Sequence, residues 1–393
     1  MTDHLHRDTS AIRSGRTNSS EGLAPTIWPS SAFVTPSTDA ARSMALTARV
    51  DRFYGRYGNP SVSAFESAIA ELEGAEAARA YASGMGALTG VILGICSTGD
   101  HIVAQHQMYS GTLLFLNSVC PRFGIDVTYV DGTDPQAWKD AIRPGQTMMC
   151  LAETPANPNL ELVDLDEFGK IQGPITVVDS TFATPILQRP VERGAKLVVH
   201  SATKAIGGHN DATIGVVAGS SELIDWLWSF SVLHGASASP YDASNALRGI
   251  RTLPIRIARQ GRTALTLAQF LQEHPACTRV AYPGLVSHPQ HGLASHQMDG
   301  FGGLLTFDTA GTLEDAMRVV ESLNIAQMAT SLGGPETLVT HPASTTHTGL
   351  TPQELDRSGI GPTTIRVSVG LEHPDDLVSD FRNALSHICE GAD

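Results

Sequence analysis

The sequence predicts an α/β protein: a mostly parallel central sheet with helices on both faces, followed by a smaller C-terminal α+β domain. Three observations carry that prediction. Short apolar runs at 101–104, 127–130, 147–152, 175–178 and 196–199 alternate with helical stretches, and short runs of this kind fit strands buried on both faces. From about residue 245 the texture changes to a long Arg-rich periodic stretch, 245–270, and then to strand-like runs at 304–307 and 364–369 separated by a helical 313–323. The 393 residues are 41% hydrophobic and 17% charged, which excludes a disordered chain and suits roughly two or three domains.

Taken in order, residues 1–55 form an arm with no sustained period. Pro, Ser and Thr are dense over 25–38, and a short helix is expected around 39–48. The large domain is expected over 56–245. It opens with a helix in which Phe65, Ile69 and Leu72 recur at helical spacing while Glu66, Glu71 and Glu73 take other faces. The strand-like runs then alternate with helices such as 113–119. One long helix carrying Pro254 is expected over 245–270, at the start of the C-terminal domain, 246–393.

Composition narrows the function. A net charge of −14 disfavours non-specific binding to nucleic acid or an anionic membrane, both of which need a basic surface. Cys96, Cys120, Cys150, Cys277 and Cys389 are scattered without a CxxC pair, so neither a disulfide framework nor a zinc ribbon is indicated. The N-terminal MTDHLHRDTS lacks an apolar signal segment, and the most apolar stretch, 87–96, is far shorter than a membrane span. A soluble, cytoplasmic protein is expected. His200 and His209 flank a lysine but have no companions at ligand spacing, so no metal is expected.

The chemistry gathers at strand ends. The run ITVVDS places Asp179 at the end of one apolar strand, and the next strand leads into Ser201-Ala202-Thr203-Lys204. An acid and a lysine therefore emerge at one edge of one sheet. A crowded, partly dry edge favours the neutral, nucleophilic amine. Ala82-Ser83-Gly84-Met85-Gly86-Ala87 opens an apolar helix, and small residues there leave backbone N–H groups free to meet a phosphate. Each feature alone has an ordinary explanation: a solvated strand-end cap, a surface lysine, close helix packing. Together they are the three anchors of pyridoxal 5′-phosphate. Tyr109, just after the 101–104 run, is the aromatic residue placed to lie on its ring.

The sequence resembles the Cys/Met-metabolism family of pyridoxal-phosphate enzymes, which includes cystathionine synthases and lyases, methionine γ-lyases and O-acylhomoserine sulfhydrylases. The resemblance runs from Tyr54 to Leu377 through YGRYGNP (54–60), ASGMGA (82–87), ETPANPNL (153–160), VVDSTFATP (177–185), HSATKAIGGH (200–209), YPGLVSHPQH (282–291), SLGGPETLVTHPASTTH (331–347) and IRVSVGLEHPDDL (365–377). It implies the aspartate-aminotransferase-like fold (fold type I) and a homotetramer built as a dimer of dimers, with active sites shared between subunits and the arm touching a neighbour.

It also implies residue roles. Lys204 is the Schiff-base lysine and proton shuttle, Asp179 pairs with the ring nitrogen, and Tyr109 stacks on the ring and can act as an acid-base group. Gly84, Met85, Ser201 and Thr203 hold the phosphate, and Tyr54 and Arg56 reach it from the neighbouring subunit. Asn157 lies beside the phenolic oxygen. Arg366 holds the substrate α-carboxylate, oriented by Ser331, and Thr330 borders the distal pocket. Three positions depart from the common pattern. Ser180 replaces an Asn, Gly111 stands where methionine γ-lyases carry Cys, and Thr330 stands where cystathionine γ-enzymes carry Glu. The activity implied is γ-elimination or γ-replacement on a homoserine-type amino acid, methionine γ-lyase-like. The alternatives are an O-acetyl- or O-succinylhomoserine sulfhydrylase, a cystathionine γ-synthase or γ-lyase, a lyase for a rarer γ-leaving group such as that of canavanine, and a β-eliminating cystathionine lyase.

Overall fold

The computed structural model describes residues 5–15, 22–349 and 351–389. Part of the arm and of the polar N-terminus, 1–4 and 16–21, therefore lies outside the described residues. Seven strands form the first sheet: β1 (Ala77–Tyr81), β2 (His101–Gln105), β3 (Asp126–Val130), β4 (Thr147–Glu153), β5 (Ile175–Asp179), β6 (Leu197–Ser201) and β7 (Gly215–Gly219). Their order is β1-β7-β6-β5-β4-β2-β3. Strands β2 to β6 pair in parallel, and β7 runs antiparallel to both its neighbours.

Alternation along the central strands explains the two covered faces. Val177, Leu197 and Val199 pack with the helices Gly84–Ile95 and Ser221–His234. Val198 packs on the other face with the helices Pro60–Glu73 and Pro240–Ile250. Val178 joins Trp138 and Phe168 in a separate cluster. The chain leaves β2 for β3 toward one edge and β4 for β5 toward the other. Between β2 and β4 the order reverses, and in such sheets ligands gather outside the strand ends at that point.

The second sheet has the order β10-β11-β12-β9-β8, with β8 (Cys277–Ala281), β9 (Leu304–Thr309), β10 (Gln327–Met328), β11 (Leu338–Thr340) and β12 (Thr364–Ser368). Leu305, Phe307, Ile365 and Val367 pack there with Leu267 and Leu271 from the helix Leu253–Glu273 and with Phe381 and Leu385 from the helix Pro374–Cys389.

Two local expectations are corrected. The single helix expected over 245–270 is two, Pro240–Ile250 and Leu253–Glu273. Pro254 lies in the first turn of the second, where its missing N–H costs nothing, while a helix running through it would lose a bond and meet the ring. The arm also holds a helix beyond the one expected, Arg7–Arg13, which buries Ala11, while the short helix expected around 39–48 is present as Thr38–Leu46, capped by Ser37, whose side chain accepts the Ala40 N–H.

Candidate active site

The carboxyl edge of β4, β5 and β6 carries Glu153, Asp179 and Ser201. Glu153 and Asp179 are register partners on adjacent parallel strands, so both side chains leave the same face. Asp179 is tied down by the Thr181 N–H, which donates to its Oδ1 at 2.9 Å. Burial raises the pKa of both carboxyls, and the charge of Asp179 adds to the rise at Glu153. Glu153 is buried and Asp179 half-buried, Arg366 offsets only part of the rise at Glu153, and a protonated ring nitrogen placed against Asp179 would supply the further positive charge this pair favours.

The helix Gly84–Ile95 starts beside β6. Ser83 caps it by accepting the Gly86 N–H at 2.9 Å, and the N–H groups of Gly84 and Met85, in the first turn, have no carbonyl within the helix. A Cβ on Gly84 would lie 2.6 Å from Ser201 Cβ and 2.7 Å from its Oγ. Only glycine lets the helix start approach that hydroxyl, and the result is a cradle of backbone donors and one hydroxyl suited to a phosphate. Thr203 stands nearby, but its Oγ1 accepts the Ile214 N–H at 2.9 Å and donates to Ile214 O at 3.2 Å. Its hydroxyl is therefore committed to backbone, and Ser201 is the hydroxyl left for a ligand.

Lys204 Nζ donates to Ser331 Oγ at 2.8 Å. Burial, and then the charge of Arg366, lower the Lys204 pKa to about 8, so the neutral amine is accessible near neutrality. Ser331 has φ 91°, a costly value for a residue with a Cβ. That backbone also aims its carbonyl at Arg366, whose NH2 donates to Ser331 O at 3.1 Å. Arg366, on β12, is 4% exposed, and its NH1 donates to Asn157 Oδ1 at 3.1 Å. Its Nε has no partner among the described residues. Burial lowers its pKa to about 10, still far above neutrality, so a buried guanidinium with an unused N–H waits for an anion.

Tyr109 stands at the start of the helix Ser110–Ser118 and is 42% exposed. Its N–H donates to Glu153 Oε2 at 2.8 Å, and the Asn157 N–H donates to Glu153 Oε1 at 2.8 Å. Thr330 is exposed beside Ser331. Among the described residues, neither Tyr54 nor Arg56 hydrogen-bonds the cradle of its own chain. Arg56 lies over the rings of Tyr54 and Tyr57 and its NH1 donates to Val232 O at 2.5 Å. Buried Arg79 fixes that segment by donating to the carbonyls of Arg56 and Tyr57 at 3.1 Å.

Three histidines near Lys204 and Arg366 take places within the fold. His200 and Glu73 form a fully buried 2.6 Å pair, and His209 Nδ1 lies 2.8 Å from Gly207 O. His347 is fully buried, and burial with the nearby Arg366 lowers its pKa to about 4, which keeps it neutral. No group of side chains able to hold a metal occurs among the described residues. Among them, too, no helix is long and apolar enough to cross a membrane.

Sequence reasoning missed Glu153 as a site residue. The motif ETPANPNL begins with it, but only the pairing of β4 with β5 places it beside Asp179.

A lysine of lowered pKa, a phosphate cradle, a strand-end aspartate and a buried arginine define an amino-acid-processing enzyme of the pyridoxal-phosphate class. The comparisons make this specific. The family model described as "Cys/Met metabolism PLP-dependent enzyme" matches residues 8–386, and the chain belongs to that family. Its cofactor is pyridoxal phosphate, and it is a lyase or transferase of amino-acid metabolism.

The chain is 39% identical over 385 residues to an O-succinylhomoserine sulfhydrylase of Pseudomonas aeruginosa, covering 97% of this chain and 95% of that one. It is 40% identical over 384 residues to an L-methionine γ-lyase of Pseudomonas putida, covering 96% of each. The crystal structure of cystathionine γ-synthase from Xanthomonas oryzae pv. oryzae in complex with cystathionine superposes with a TM-score of 0.92 at 35% identity, over 98% of each chain.

Proposed function

We propose that this enzyme eliminates or replaces the γ-substituent of a homoserine-type amino acid, with a methionine γ-lyase-like carbon–sulfur or carbon–oxygen cleavage as its main activity. The observation that carries the proposal is the double role of Ser331. Its hydroxyl accepts from Lys204 Nζ while its carbonyl accepts from Arg366, so one residue sets the distance between a proton-moving amine and a carboxylate anchor. The relatives support this reading, being named an O-succinylhomoserine sulfhydrylase, an L-methionine γ-lyase and a cystathionine γ-synthase.

Pyridoxal phosphate, when bound, supplies an aldehyde for amines and a ring that takes up the electron pair left when Cα loses its proton. The protein's residues do the rest. Arg366 NH1 and NH2 are held by Asn157 and Ser331, so its guanidinium presents a fixed edge to the α-carboxylate. Lys204 Nζ, neutral above about pH 8, accepts the α-proton, and γ-departure further requires a β-proton to be moved on the same side. Asp179 holds the ring nitrogen protonated, and Tyr109 covers the ring. Gly84, Met85 and Ser201 bind the phosphate.

Around this site we place the arm 1–55, a large domain 56–245 and a C-terminal domain 246–393, in a homotetramer with shared sites. Tyr54, exposed, and Arg56, whose carbonyl accepts from Arg79, serve the phosphate of a neighbouring subunit. Mixing Arg56→Ala with Lys204→Ala subunits tests this. Hybrids regain activity if sites are shared, and no recovery in mixed oligomers confirmed by native mass spectrometry overturns it.

The reaction itself is tested by product. Methionine, cystathionine, O-acylhomoserines and canavanine are assayed for 2-oxobutyrate, homoserine and thioether products. Pyruvate as the main keto acid from a cystathionine assay, with no γ-product from any substrate, would establish β-elimination instead.

A further inference from the structure

Glu153 bridges the two sides of the crevice. Tyr109 follows β2 and Asn157 follows β4, the two strands between which the strand order reverses. Glu153 Oε2 accepts the Tyr109 N–H and its Oε1 accepts the Asn157 N–H, both at 2.8 Å. The residue is itself held rigidly. Its N–H donates to Gln105 Oε1 at 3.0 Å, and Gln105 Nε2 donates to its carbonyl at 2.9 Å.

The side chain is 6% exposed and adjoins the second carboxyl of Asp179. Burying a carboxylate there is costly unless its charge-accepting oxygens are used. Here both are used, and each fixes a residue with a different task. Tyr109 covers the cofactor ring. Asn157 passes its position to Arg366 through a 3.1 Å bond. A glutamine could accept only one of the two N–H groups and would turn an NH2 donor toward the other.

We propose that Glu153 is a positioning residue that sets the spacing between Tyr109 and the Asn157–Arg366 pair, so that the ring-covering group and the carboxylate anchor move as one unit. This rests on the roles given to Tyr109 and Arg366 above.

The test uses full-length Glu153→Gln and Glu153→Asp. The first keeps size and loses one acceptor; the second keeps both acceptors and withdraws them by one methylene. Both are expected to lower kcat/KM for a γ-substituted substrate by about 10–100-fold, the cost of misplacing reacting groups by about an ångström, with KM rising as Arg366 loosens. The apoenzyme's affinity for pyridoxal phosphate, read by titration, should weaken several-fold as Tyr109 shifts. Melting temperatures of the folded variants should stay within a few degrees of the parent.

Normal kinetic constants and cofactor affinity in either folded variant overturn the proposal, as does a lowered melting temperature with unchanged constants. If Glu153→Gln does not fold, Glu153→Asp alone decides. Tyr109→Ala, which removes the ring-covering group, and Arg366→Lys run beside them. If those are impaired while the Glu153 variants are normal, positioning by Glu153 fails alone. If those are normal too, the site roles themselves have failed.

Discussion

Lys204, Asp179 and the glycine-lined helix start all hang from the carboxyl edge of the seven-stranded sheet, whereas the five-stranded sheet sends a single functional side chain, Arg366 on β12, into the same crevice. In the crevice the two sides are joined by Arg366 to Asn157, Arg366 to the Ser331 carbonyl and Lys204 to the Ser331 hydroxyl, and beside it by the Thr306 hydroxyl to Pro158 O and by Leu304 packed with Leu160 and Phe182. The difference separates two jobs. On the proposed roles, the large sheet carries the residues of its own chain that would hold the cofactor, and the small sheet carries the arginine that would fix the register of the substrate. Damage to the first should remove chemistry altogether, while damage to the second should leave a loaded enzyme that grips its substrate poorly.

Lys204→Ala is the largest break. The large-sheet side has one amine in the crevice, and no second lysine is bonded to Ser331. Turnover should vanish, together with the absorbance band of the lysine-linked cofactor. An unaltered band in the purified variant would remove Lys204 from its role.

Arg366→Lys cuts the other side. An ammonium cannot reproduce the planar fork held by Asn157 and Ser331. Losing one partner of a buried charged pair costs about 3–5 kcal/mol, on the order of 10² to several 10³-fold in kcat/KM. The cofactor band should persist. A strand arginine with only a packing role would instead lower the melting temperature and leave kcat/KM near normal, which steady-state kinetics decide.

The fold was most legible where burial is symmetric. The runs at 147–152 and 175–178 are strands covered on both faces along most of their length, so the sequence is apolar apart from Thr147 and Thr176, and only Met148 is exposed. β1 escaped because AARAY carries an arginine. Arg79 is buried there all the same, 3.6 Å from buried Glu66, and no local pattern announces a paired charge. β7, GVVAG, is bounded by glycines, which read as turns. Glu66 itself sits on a face expected to be polar, yet its Oε1 accepts the Ala80 N–H at 2.7 Å. At the site, Lys204 and Asp179 were readable because each closes an apolar strand. Glu153 closes one too, but its meaning depends on strand register across the switch point, which is a property of the assembled sheet.

A pH experiment sharpens the coupling between the sheets. Lys204 has its pKa lowered to about 8, first by burial and then by Arg366. Protonated Lys204 cannot attack an aldehyde, so the rate of cofactor uptake by apoenzyme should rise about tenfold per pH unit below 8 and level off above it. Replacing Arg366 by Gln should move that midpoint upward by less than the shift burial causes. A midpoint unchanged in Arg366→Gln would show that the small sheet does not reach the amine electrostatically.

The smallest effect tests how the large sheet's own loop positions Tyr109. A Cβ on Gly111 would lie 2.4 Å from Tyr109 Cε1 and 3.0 Å from its Cζ. The ring therefore rests over a position that only glycine leaves open. Tyr109 is 42% exposed, so a methyl at 111 should swing the ring outward rather than disturb the core. Gly111 lies in the helix Ser110–Ser118, where alanine is favoured over glycine by roughly 0.5–1 kcal/mol. Gly111→Ala should then stabilise slightly while lowering kcat/KM by about tenfold or less, since a partly solvated ring has room to return. Opposite signs in the melting curve and the kinetics are the expected result. Unchanged kcat/KM in a variant at least as stable as the parent would mean that the ring's place over the crevice is set elsewhere, with the Glu153 bond to the Tyr109 N–H as the remaining constraint.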